Sequence, residues 1–135
     1  MRKDIEIPEV KDVYVAALEV TDEHGDTNWW MHLINDTDGP LENILVQSKG
    51  YSELETKGGK STATLRKMVK VLPAKSAAKL EPMMPEIFDL FNEYWVSYFE
   101  GGQMKDRKYI FGPGTIDMAF SEPLPVLKSK GILIR

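Results

Sequence analysis

Hydrophobic positions in this chain recur in short, dense runs divided by turn residues, a spacing that predicts strands rather than long helices. Val13 to Val20, VYVAALEV, is the first run, and the polar loop Thr21 to Thr27 joins it to TNWWMHLIN as an antiparallel neighbour. Side chains alternate along an extended chain, so Trp29, Met31 and Leu33 fall on one side of that second strand and Trp30 and Ile34 on the other. A strand apolar on both sides belongs in the middle of a sheet. Asn35 to Pro40 then supplies turn chemistry and Leu41 to Gln47 resumes the apolar run, so residues 27–51 predict a central β-hairpin around which the rest of the chain packs.

Ahead of these strands, Ile5, Ile7 and Val10 around Pro8 suit an irregular edge segment. Beyond them, the polar stretch Ser52 to Ser61 leads into Thr62 to Leu72, where Ala63, Leu65, Val69 and Val71 face inward and Thr62, Thr64, Arg66 and Lys70 face water. Lys67 interrupts the inward side and is expected to snorkel out near an edge. Ser76 to Glu81 predicts a short strand. Pro82 to Asn92 carries Ile87, Leu90 and Phe91 at helical spacing behind a proline, which predicts one or two turns of helix. Glu93 to Glu100 and Met104 to Phe111 form a second hairpin about Gly101, Gly102 and Gln103. The proline- and glycine-rich remainder is expected to lie over the domain, with Ile132 to Ile134 able to pair with a sheet edge.

About seven short strands with one short helix and no strand–helix alternation predict an all-β fold, a single antiparallel sandwich spanning residues 1–135. Its core falls at about residues 10–111, and a C-terminal tail, 112–135, packs over it. The succession LINDTDGPLENILVQSKGY, VKVLPAKSAAKLE and YWVSYFEGG resembles the immunoglobulin-like or fibronectin-type sandwiches of bacterial proteins, with Lys75 standing where those domains often place glycine. That resemblance implies the fold and leaves the function open. The start KDIEIPEVKDVYVA and the end PLPVL...GIL are also similar to a family of small bacterial proteins sometimes labelled as a phenylalanyl-tRNA synthetase subunit. A synthetase core needs a large sheet with helices and arginine-bearing nucleotide motifs, which this chain lacks, so the likeness implies no activity.

At 135 residues, 42% hydrophobic and 28% charged, the chain suits one globular domain. No apolar run approaches the roughly 20 residues of a membrane helix, and the N-terminus has acids and a proline where a signal peptide is apolar. With no cysteines as well, these features predict a cytoplasmic protein without disulfides, thiolate chemistry or Cys-type zinc sites. The net charge of -4 weighs against a general nucleic-acid binder, although residues 61–135 carry 11 basic and 8 acidic groups.

Chemical motifs are sparse. Gly58-Gly59-Lys60-Ser61 ends like a phosphate-binding loop, but Leu54 occupies the position of the required first glycine. His24 lies among Asp22, Glu23 and Asp26 in an order unlike a calcium-binding loop, and reads as a solvated turn. His32 shares a strand face with Trp30 and Ile34, as a partly buried structural histidine does. No catalytic residue, metal site or cofactor is predicted. Surface remains: aromatics fall on both faces of two strands, and the half not needed for the core is expected beneath the tail, with a patch for a protein partner or self-association as the alternative. The candidate binding residues are Trp30, His32, Tyr94 and Tyr98 with the basic Arg66, Lys70 and Arg107. The leading reading is a noncatalytic protein-binding or structural module. The alternatives are a nucleic-acid binder using Arg66, Lys70, Lys105, Arg107 and Lys108 with aromatic stacking, and a metal-dependent enzyme built on the Asp22 to Asp26 loop.

Overall fold

The structure, a computed structural model, describes residues 9–52 and 65–134. The Pro8 segment, the Gly58 to Ser61 loop and Thr62 to Thr64 lie outside the described residues. Nine strands occur among those described: β1 (Val13–Thr21), β2 (Thr27–Asn35), β3 (Leu41–Tyr51), β4 (Leu65–Leu72), β5 (Ser76–Met83), β6 (Phe91–Glu100), β7 (Gln103–Phe111), β8 (Glu122–Pro123) and β9 (Lys130–Ile134). They form two antiparallel sheets, ordered β5-β2-β1-β9-β8 and β4-β3-β6-β7. The inner faces of both enclose one core, in which Val13, Val15, Met31 and Leu33 meet Ile44, Val46, Val96 and Phe111. No helix among the described residues is long and apolar enough to cross a membrane.

Two hairpins form where expected, β1–β2 and β6–β7. The second closes through Gly101 and Gly102, both at positive φ (58° and 81°), a conformation that matches the twist of paired strands and that side chains disfavour. The central hairpin of residues 27–51 does not form. β2 and β3 belong to different sheets, and the turn between them is a corner. Asn35, fully buried, makes that corner: its Nδ2 donates to the carbonyls of Gly39 (3.0 Å), Leu72 (3.0 Å) and Pro73 (2.9 Å), and its Oδ1 accepts from the Thr37 amide and hydroxyl. Turn-forming residues specify a change of direction, but the sheet the chain then enters rests on long-range bonds such as those from Asn35 to Leu72 and Pro73.

Other differences are local. The helix expected over Pro82 to Asn92 is a single 3-10 turn, Pro85–Ile87, because Phe91 and Asn92 already pair in β6. A second such turn covers Met118–Phe120. Leu72 takes the inward place expected of Val71, since it pairs with Leu41, and a bulge about Asn43 (φ 48°) shifts which side of β3 faces in. Lys67 lies on the inner side of edge strand β4, and its Nζ reaches the Leu80 carbonyl of the other sheet at 3.4 Å. On the opposite edge, β7, Lys105 and Arg107 also point inward. Lys105 pairs with Glu100 at 2.9 Å and the Arg107 guanidinium lies 4.5 Å from the centre of the Tyr109 ring. Inward charges on edge strands discourage pairing with another chain's edge.

The C-terminal segment is more than a cover, because β9 is a strand of the sheet. It pairs with β1 as Val15 to Ile134, Ala16 to Leu133 and Ala17 to Ile132. Ile132 enters the main core, while Leu133 joins Ala16, Leu18, Ile34 and Leu124 in a second cluster on the outer face, flanked by Val126 and Leu127. Phe120, expected among the covering residues, is exposed.

Gly131 lies where that cover closes: a Cβ there would come within 2.5 Å of the Ala17 carbonyl oxygen and 3.0 Å of Leu124 and Leu18 side-chain carbons. Gly39 has nothing within 4 Å. Gly131→Ala should therefore destabilise the protein by about 1–3 kcal/mol, the usual range for overpacking, and Gly39→Ala should be close to neutral in the same urea titration.

Candidate functional site

Strand β6 sorts the aromatic residues by parity. Asn92, Tyr94, Val96 and Tyr98 point into the core, and Glu93, Trp95, Ser97 and Phe99 point out of the four-stranded sheet. Trp95 and Phe99 are 39% and 37% exposed, and around them stand Met68 (66%) and Met104 (55%). Register aligns these side chains in rows. Gln47 pairs with Arg66 on one side and Trp95 on the other, and Trp95 pairs with Lys108, so the row Arg66, Gln47, Trp95, Lys108 crosses the sheet. The next row is Met68, Leu45, Ser97 and Asp106. Lys108 Nζ lies 5.0 Å from the centre of the Trp95 ring. A shallow depression of ≈ 220 Å³ beside Trp95 is lined by Gln47, Ser48, Lys49 and Glu93 as well. This face can hold an apolar or aromatic group at its centre and hydrogen-bond or pair charges at its rim.

The predicted binding residues divide between four environments. Arg66 and Lys70 are exposed on β4, and Arg66 borders the Trp95 row. Trp30 and His32 belong to the other sheet, on the outer side that Ile34 shares with the covered cluster: Trp30 is half-buried with Lys79 Nζ 5.0 Å from its ring centre, and His32 is buried. Tyr94 and Tyr98 are core residues and cannot serve as surface contacts; their inward parity is the reason. Arg107 sits at the inner edge over Tyr109, apart from the open face. The surplus aromatics were expected beneath the tail, but the tail packs elsewhere. It covers the five-stranded sheet, and Trp95 and Phe99 stay open.

Tyrosine hydroxyls link the sheets. Tyr109 Oη donates to the Val13 carbonyl at 2.6 Å, and burial pushes its pKa up to about 12. Tyr98 Oη is buried without a hydrogen-bond partner among the described residues. Tyr94 Oη donates to Glu81 Oε2 at 2.6 Å, and Ser48 Oγ donates to the same oxygen at 3.0 Å. Burial first, and then the Glu81 charge, push the Tyr94 hydroxyl far above the usual phenol range, so it donates as a neutral group. A bulge places Glu81 there. Met31 pairs with Glu81 and His32 with Lys79, leaving Leu80 as an extra residue, so Leu80 and Glu81 both point inward.

In the acidic loop, Asp22 Oδ1 accepts from the His24 and Asp26 amides, both at 2.9 Å. The carboxylate thus holds its own turn. No group of three or more metal-ligating side chains occurs among the described residues. No protein-family model, curated protein or solved structure matches this chain.

His32 supplies a pH test. Its Nδ1 lies 3.1 Å from the Trp30 carbonyl oxygen, and its pKa is lowered below the ordinary 6.5, chiefly by burial, with the nearby Lys79 charge adding to the shift against that hydrogen bond. The unfolded chain then binds the proton more readily than the folded one, so stability is full above about pH 6.5 and falls as pH drops below it. Urea midpoints measured between neutral and mildly acid pH should show this decline, and His32→Gln should flatten it.

Proposed function

We propose that this protein is a noncatalytic binding module that docks a protein partner on the outer face of its four-stranded sheet. The observation that carries the reading is the exposed set Met68, Trp95, Phe99 and Met104, which strand parity places on one face, with Phe99 and Met104 as direct cross-strand partners. Aromatic residues and Met are enriched in the buried centres of protein interfaces. An immunoglobulin-like sandwich is the fold reading that goes with it. The first seven strands divide as β5-β2-β1 and β4-β3-β6-β7, with β2 to β3, β4 to β5 and β5 to β6 crossing between sheets, and β8 and β9 extend the first sheet.

A second reading rests on the row Arg66, Gln47, Trp95, Lys108, whose two cations flank an aromatic ring as a single-stranded nucleic acid would require. Glu93 and Asp106 share that face, and the net charge is -4, so the protein partner is favoured. Of the five basic residues considered for this role from sequence, Lys105 and Arg107 point inward at the opposite edge.

A photocrosslinking amino acid at position 95, with position 24 as the control, separates the readings. In lysate of the source cells, position 95 should give a discrete protein adduct that is lost on adding Phe99→Asp, and position 24 should give none. Equal labelling at both positions, or none at either, would contradict the proposal. Trp95 fluorescence quenched by oligothymidylate in a salt-dependent way would select nucleic acid instead. Once the partner is purified, Trp95→Ala should weaken its binding by about 2 kcal/mol or more.

A further inference from the structure

Below the open face, at the end of the sandwich where β5 turns towards β6, lies a separate cleft of ≈ 250 Å³. Glu81 and Lys49 are its charged groups, and its apolar wall is Pro82, Met84 and Ile87. Two hydroxyls, from Tyr94 and Ser48, fix the carboxylate through Oε2 alone. A carboxylate has about four lone-pair sites, so capacity is left for a further donor. Among the described residues no cation pairs with Glu81. Lys49 lines the rim, with its Nζ 5.6 Å from the centre of the Tyr51 ring. Asn92 gives its Nδ2 to the carbonyls of Ile87 and Leu90, which leaves an acceptor as its remaining polar group.

With the Lys49 ammonium turned to the Tyr51 ring, the cleft presents a carboxylate unpaired by any described cation and an amide acceptor beside an apolar wall, and a bulge in β5 aims the carboxylate at that position. We propose that it binds a primary alkylammonium group, with the charge on Glu81 and the carbon stem against Pro82, Met84 and Ile87. Three ammonium hydrogens match the acceptors, and the volume, below the roughly 300 Å³ of ordinary ligand pockets, limits the stem to a few carbons. Free small amines and the lysine side chain share this chemistry.

The test is a titration of the intact protein, labelled at methionine methyls, with pentylammonium, pentanol and pentanoate. Pentylammonium should shift the Met84 methyl saturably at millimolar concentration, and the other two should not. Pentanol binding as tightly as pentylammonium, or no saturable shift with any of the three, would overturn the proposal. Glu81→Gln keeps an acceptor for both hydroxyls, so it should fold and should weaken pentylammonium at least about tenfold; unchanged affinity in the folded variant would also overturn it. If that variant melts, the charged and neutral ligands on the wild-type protein still decide. Nα-acetyl-lysine methylamide distinguishes the sources: equal affinity assigns the cleft to lysine side chains, weaker affinity to free amines, and either upholds the ammonium site.

Discussion

Burial on both sides of β1 is the constraint from which the rest of the structure follows. Val13, Val15 and Ala17 face the core between the sheets, and Ala16 and Leu18 face the other way, where an antiparallel sheet would ordinarily meet water. β2 adds Ile34 to that outer side. The C-terminal segment resolves the exposure in two ways: β9 pairs with Val15 to Ala17 of β1, and Leu124, Leu133, Val126 and Leu127 cover the outer cluster. Each large apolar side chain so buried is worth about 1.5–3 kcal/mol. Against a total stability of roughly 5–15 kcal/mol, the last residues of the chain decide whether the sandwich stands.

That use of the tail covers one sheet only. The covering segment lies on the five-stranded sheet, and the four-stranded sheet, whose strands also carry apolar residues on both sides, keeps its outer face open. Polar links hold the two sheets in register beneath it: Asn35 to Leu72, Tyr109 to Val13, and Glu81 to Tyr94 and Ser48. Satisfied polar groups in a core specify one arrangement where apolar packing alone would accept several. The same links aim Glu81 at the cleft, so the device that aligns the sheets also supplies its charge.

The sequence made the strands legible because apolar alternation and turn residues are local signals: β1, β2, β6 and β7 begin and end within a few residues of their expected bounds. It did not reveal that β2 and β3 part company, because residues 35–40 encode a turn whether the chain folds back or crosses, and the choice rests on long-range bonds from Asn35 to Leu72 and Pro73. Parity was the harder matter. Tyr94 and Trp95, or Tyr98 and Phe99, are equally apolar neighbours, so nothing in β6 itself says which pair is core. The bulges at Asn43 and Leu80 then shift parity in β3 and β5 where no glycine marks them. Lys75 adopts a left-handed φ of 54°, a conformation that glycine favours, with its ammonium held by the Asp36 carbonyl at 2.7 Å.

The tail strand is part of the five-stranded sheet and covers that sheet's outer side, and the face of the other sheet stays open. Native-state hydrogen exchange tests that central claim most directly. Protected amides within 132–134 should exchange only through the global unfolding that releases β1 and β2, with the same free energy and the same denaturant dependence. Exchange of 132–134 through a low-energy local opening, while β1 remains protected, would contradict the account.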